Sequence, residues 1–154
     1  MDALDRQLLH ELQSDCKRTT KAYAARLGLS TTAVYERIRR LEREGTIRAY
    51  VALVDKKKVE RDFTVLCHIR LVQHTKDNVL RFERQVQQLH EVSSCLHVSG
   101  DYDYILTIHV KDMEAYREFM IHKLTAIDQI GSTQSSFAIN EVKHSTAVFM
   151  ETLT

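Results

Sequence analysis

Apolar residues recur with two different periods along this chain, and the change of period divides it. Over roughly the first third the spacing is helical. Leu4, Leu8, Leu9 and Leu12 share one face of a helix of about three turns. Asp2 and Asp5 lie near its start, where the helix dipole favours negative charge. Cys16-Lys17-Arg18-Thr19 interrupts the pattern. Thr20 then caps a second helix with Ala22, Tyr23, Ala24 and Leu27 inward, and Gly28 ends it in the left-handed conformation. Ser30 caps a third helix whose inward positions, Val34, Ile38 and Leu41, are spaced i, i+4, i+7, with Gly45 at its end. Residues 47–54, IRAYVALV, are rich in β-branched and apolar side chains and predict the wing strand of a winged helix-turn-helix.

After a charged stretch, DKKKVERD at 55–62, the period falls to two. Phe63, Val65, Cys67, Ile69 and Leu71 alternate, a strand signal, while Thr64, Leu66, His68 and Arg70 form a mixed second face suited to an interface. Asp77 opens a helix with Val79, Phe82, Val86 and Leu89 inward. Residues 92–99 predict a strand, Gly100-Asp101-Tyr102-Asp103 a turn, and 104–110 a strand. Asp112 starts a helix with Met113, Tyr116, Phe119, Met120 and Leu124 inward. Residues 130–142 predict the last main strand, and 146–150 a short edge strand. The order β-α-β-β-α-β is the split pattern of ferredoxin-like folds, an antiparallel sheet with both helices on one face. The fold class is therefore α+β: a winged helix-turn-helix domain over 1–54, a linker over 55–62 and a βαββαβ domain over 63–154. A sheet with one bare, partly apolar face predicts a homodimer through this domain.

Composition sharpens the division. Residues 1–62 hold fourteen Lys and Arg against ten Asp and Glu, and the remainder holds eight against eleven. A basic first part joined to an acidic second part suits one nucleic-acid module beside another kind of domain. No apolar run approaches the roughly 20 residues that span a bilayer, and the acidic, amphipathic N-terminus is unlike a secretory signal, so the expected location is the cytoplasm with no membrane partner. Three cysteines, Cys16, Cys67 and Cys95, offer neither a disulfide framework nor zinc spacing. Cys67 and Cys95 are expected as buried small hydrophobes.

The third helix carries the chemistry. With Val34, Ile38 and Leu41 inward, Thr32, Glu36, Arg39 and Arg43 point away, flanked by Tyr35 and Arg40, at about 100° per residue. Threonine and arginine read base edges, and arginine is bidentate to guanine. Arg40 and Arg43 suit phosphates, as do the helix N-terminus and the hydroxyls of Thr31 and Thr32. Glu36, Glu42 and Glu44 interleave with the arginines at pairing distances, which a plain solvated face would also show. The preceding helix and glycine break favour the reading of double-stranded DNA.

The chain resembles the leucine-responsive/asparagine (Lrp/AsnC) family of transcription regulators. The motifs LDRQLLHELQSDCKRT, YAARLGLSTTAVYERIRRLEREGTIRAYVALVD, SGDYDYILTIHVKDMEAYREF and STQSSFAINEVK carry the likeness, in the family's order, over about residues 4 to 143. The resemblance implies a helix-turn-helix domain and a C-terminal RAM-type domain that senses small molecules, generally amino acids. It also implies homodimers that assemble further, often to octamers. The family usually has a glycine where this chain has Lys58-Val59-Glu60-Arg61, and often a proline where it has Asp128-Gln129-Ile130-Gly131.

The same resemblance places Gly100, Asp101, Tyr102 and Asp103 at the turn bordering the effector site between dimers, with Thr133 and Ser135 at hydroxyl positions on the last strand. An amino acid's ammonium needs an anionic acceptor, which Asp101 or Asp103 supplies, and its carboxylate can approach the backbone at Gly100. Gly and Asp are also ordinary turn residues.

Catalytic signatures are missing: the sequence has no glycine-rich phosphate loop, no GxSxG and no HExxH. His68, His97 and His109 lie in predicted strands without metal-ligand spacing. The expectation is a transcription regulator with no catalytic residue, no metal and no cofactor beyond an amino-acid effector. A ferredoxin-like enzyme or amino-acid-binding module, and an RNA-binding winged helix, are the rival readings.

Overall fold

The computed structural model describes residues 1–151; residues 152–154 of the expected C-terminal domain lie outside them. The chain forms two compact units. One is Met1–Leu53 together with the segment that begins at Val142, and the other is Val54–Glu141.

The first unit holds α1 (Ala3–Ser14), α2 (Thr20–Leu27) and α3 (Thr31–Arg43). Leu8, Leu9, Leu12, Tyr23, Ala24, Val34 and Leu41 form its core, with Ile38 packed against it. Each start is capped. Asp2 and Asp5 build a reciprocal capping box on α1, and Ser30 accepts from the Ala33 amide on α3. The cap of α2 is Thr19, one residue before the Thr20 expected, because Thr19 is the residue with extended backbone whose hydroxyl receives the Ala22 amide. Gly28 closes α2 at φ 64.

Below α3 lies the unit's one buried charged side chain among the described residues, Asp5, 1% exposed. Arg37 donates to it at 2.6 Å, and Arg40 donates to both its oxygens at 2.6 and 2.7 Å. Arg37 also reaches Asp2 at 2.7 Å. The pairing compensates the desolvation of the carboxylate.

Two predicted strands are not strands. Residues 47–54 take no sheet partner, because the described residues of the unit hold no other strand, and Tyr50, Val51 and Leu53 stand exposed. Residues 146–150 dock instead on α1. Both ends of the Gln13 amide engage the Val148 backbone, donating to its carbonyl at 3.1 Å and accepting from its amide at 2.6 Å, while Met150 packs on the core.

The second unit is the βαββαβ domain: β1 (Phe63–Leu71), α4 (Lys76–Val86), β2 (Val92–His97), β3 (Tyr104–Val110), α5 (Met113–Phe119) continued by a π-helical turn (Met120–Leu124), and β4 (Ile130–Phe137). The sheet order is β2-β3-β1-β4, antiparallel throughout. Val65, Cys67, Ile69, Tyr104, Leu106 and Ile108 face Phe82 and Val86 of α4 and Tyr116 and Phe119 of α5. Both helices therefore cover one face. Met113, expected inward, is 51% exposed at the first position of α5, directly after its cap Asp112. β4 stops at Phe137 rather than 142, since its partner β1 begins at Phe63 and the last bond runs from the Ala138 amide to Thr64.

Both departures from the family pattern acquire a geometry. Glu60 takes the left-handed φ of 54 that a glycine adopts freely. Gly131 lies in the register shift of β4 opposite Arg70 and Leu71, and a Cβ there would sit 3.3 Å from the backbone of Leu71 and Val72.

Asp5→Asn should lower the stability of the first unit by about 1–3 kcal/mol in urea unfolding, since it removes the charge facing two guanidiniums. A pH dependence accompanies it. The Arg37 hydrogen bond, helped by the Asp5 amide, holds the Asp2 carboxyl down from 3.8 to about 2. Its contribution is complete above pH 3.8 and is lost as pH falls toward 2. Asp2→Asn should therefore flatten the acid limb of the stability curve in that window.

Candidate nucleic-acid interface and effector turn

Burial of Val34 and Leu41 fixes the roll of α3, and the rest of the helix follows from it. Thr31, Thr32, Tyr35, Glu36, Arg39 and Arg43 are exposed, as expected for the outward face. Arg37 and Arg40 are half-buried, turned toward Asp5. Arg40, expected at phosphates, has thus committed one end of its guanidinium inside the protein.

Arg39 is held by two neighbours. Its guanidinium donates to Glu42 at 3.2 Å and lies over the Tyr35 ring at 6.0 Å. Glu42 in turn accepts from the Tyr50 hydroxyl at 3.0 Å. Burial and the Glu42 carboxylate push the Tyr50 phenol up to about 12, so it stays a donor. Arg43 and Arg48 are exposed, with no side-chain partner among the described residues. Sequence reading missed Arg48 and Tyr50 because both fell inside a predicted strand; the short, extended run after the helix was the only available signal.

In the second unit the turn is organised by Asp103 rather than open at it. One carboxylate oxygen of Asp103 accepts from the Leu71 amide at 2.8 Å, and the other meets His74 Nε2 at 2.7 Å. Burial opposes its ionisation, yet these two donors outweigh burial and hold the carboxyl below its ordinary value. Gly100 has φ 117, which favours glycine. Asp101 presents a carboxylate with no partner among the described residues, while its carbonyl accepts from Arg70 Nε. Tyr102 lies against the Arg70 guanidinium at 5.2 Å and the His68 ring at 5.0 Å, and its hydroxyl reaches Gln134.

Thr133 and Ser135 share one sheet face, but it is the helix-covered one. They pair with Ile69 and Cys67, and Ser135 Oγ lies 2.5 Å from the Tyr116 hydroxyl. Within one chain the turn therefore meets Gln134, on the opposite face, and not these hydroxyls. Period two explains the miss: a shift of one residue exchanges faces. Cys67 is fully buried as expected, while Cys95 is exposed because edge strand β2 is only partly covered by α4. A groove of about 380 Å³ remains there, lined by Glu83, Gln87, Cys95, His97 and Tyr104. The strand histidines separate: His68 and His109 pair with bare-face positions, His97 with Tyr104 on the helix side.

The comparisons cover both units. The model of an AsnC-type helix-turn-helix domain matches residues 1–42, and that of the Lrp/AsnC ligand binding domain matches residues 64–148. The leucine-responsive regulatory protein of Escherichia coli K12 is 36% identical over 152 residues, covering 99% of this chain and 93% of that one. A crystal structure of an AsnC family transcriptional regulator from Agrobacterium tumefaciens superposes with a TM-score of 0.92 at 37% identity, over 96% of each chain. A transcriptional regulator from Neisseria meningitidis, solved in complex with L-Met, gives 0.91 at 29% identity, again over 96% of each.

The two turn aspartates should separate in a stability measurement. Asp103→Asn is expected to lower the unfolding free energy of the full chain in urea by about 1.5–3 kcal/mol, the worth of a charge-assisted amide bond. Asp101→Asn is expected to leave it unchanged.

Proposed function

We infer, for a chain that belongs to the Lrp/AsnC family of transcription regulators, a protein that binds duplex DNA through α3 and responds to an amino acid in its βαββαβ unit. The observation that carries the DNA reading is the exposed face of α3, where Arg39 is propped clear of the protein by Glu42 and Tyr35. Arg39 reads a base edge, with Thr32, Tyr35 and Glu36 beside it. Thr31, Arg43 and the outer edge of Arg40 meet phosphates, joined by Arg48. The protein acts in the cytoplasm and carries no catalytic chemistry of its own.

The bare sheet face supports a homodimer. Leu66 and Leu96 are 40% and 57% exposed there, and Ile105 lies beside them in register with Leu96. A second copy buries these residues by twofold symmetry, and dimers associate further to an octamer. The amino acid binds near Gly100 to Asp103 where dimers meet, beside Gln134 on the same face of the sheet. Binding is then linked to association, and association sets the spacing of DNA-reading helices.

The test is binding of the full chain to duplexes selected from a randomised library, read by fluorescence anisotropy across salt. Affinity should fall steeply with salt. Arg39→Ala should cost about 1–3 kcal/mol at one base position, whereas Arg43→Ala should weaken all sequences alike and reduce the salt slope by about one. Salt-independent binding, indifference to Arg39→Ala, or equal competition by duplex RNA, whose major groove excludes a helix, would overturn the reading.

A further inference from the structure

Arg70 and Asp101 stand out because they touch without forming an ion pair. Arg70 Nε donates to the Asp101 carbonyl, so the two residues are locked together through the backbone. Tyr102 supports the guanidinium from the side at 5.2 Å. Yet among the described residues no salt bridge joins the guanidinium to the Asp101 carboxylate, and the guanidinium has no side-chain neighbour but the Tyr102 ring. The terminal nitrogens of Arg70 remain open, and so do the oxygens of Asp101. Asp103, two residues on, is excluded from the same task because both its oxygens are occupied.

An open guanidinium edge and an unpaired carboxylate, on two residues joined by a hydrogen bond, match a molecule that carries both charges on one carbon. We propose that Arg70 and Asp101 form a zwitterion clamp for the effector, Arg70 binding the carboxylate and Asp101 the ammonium of a free α-amino acid. Guanidinium and carboxylate meet in a planar, two-bond geometry, and Arg70 offers the outer edge this requires. Tyr102 and the Asp101 carbonyl fix the guanidinium before ligand arrives, so little side-chain freedom is lost on binding. Arg70 occupies a bare-face position of β1, opposite Ser132 of β4. The turn carrying Asp101 folds onto that face, its neighbour Tyr102 reaching Gln134. The clamp rests on the amino-acid reading above and assigns it two residues, one of which lies outside the turn altogether.

The test uses the full-length protein and calorimetry. The twenty L-amino acids are titrated first. The tightest binder is then compared with its primary amine, which lacks the carboxylate, and with the acid that lacks the amine. Loss of either group should weaken binding by about tenfold to a hundredfold, the worth of one charge-assisted interaction. Arg70→Gln should weaken the amino acid by the same factor yet leave the amine unchanged, and Arg70→Lys should recover part of the loss. Asp101→Asn should show the mirror pattern, affecting the amino acid and sparing the acid. If Arg70→Gln weakens the amino acid and the amine equally, Arg70 only props the turn and the clamp is wrong. Unchanged affinity in both variants also refutes the clamp while the amino-acid reading stands. Failure of all twenty amino acids to bind the wild-type chain removes that reading and the clamp with it.

Discussion

The buried carboxylate of Asp5 divides the arginines of the helix on which recognition depends. Helix α3 carries four arginines outside its apolar stripe, and apolar burial alone leaves their partners unassigned. Asp5 divides them. It draws Arg37 and Arg40 against α1 and leaves Arg39 and Arg43 outside. The same residue completes the capping box that starts α1, so one side chain both begins the first helix and ties down two arginines of the third. An unpaired charge in that place would cost several kcal/mol, which makes the three-way contact an all-or-none feature of the unit.

The second unit divides its carboxylates in a comparable way. Its sheet is covered on one side by α4 and α5, and the other side keeps a mixture of apolar and polar residues. At one end of that side the turn from Gly100 to Asp103 folds against Arg70 and Gln134. Asp103 supplies the structural bonds, which frees Asp101 to present an unused charge. Two nearby residues of one type thus take different parts, separated by which backbone amide each can reach.

Much of this was legible in the residues. The spacing of Val34, Ile38 and Leu41 located the outward face of α3, and the alternation from Phe63 to Leu71 gave β1 with its bounds. Local signals sufficed because both depend on one element at a time. What escaped depends on partners distant in sequence. The stretch after α3 has strand composition, but composition cannot supply a neighbouring strand. The segment at 146–150 has it too, and an amide side chain on α1 engages its backbone instead. Arg40 looked like any exposed arginine because Asp5 lies 35 positions away. Thr133 and Ser135 were placed on a shared face correctly, while which face depended on the register with β1.

The division of the arginines can be observed directly. Arginine Nε–Hε resonances, recorded by NMR on the full-length chain with and without a selected DNA duplex, report each guanidinium separately. Those of Arg39, Arg43 and Arg48 should shift on adding DNA, and that of Arg37 should stay fixed in its contact with Asp5. Movement of Arg37 with Arg39 unmoved would mean that α3 meets DNA by another face, and the division of roles imposed by Asp5 would be refuted.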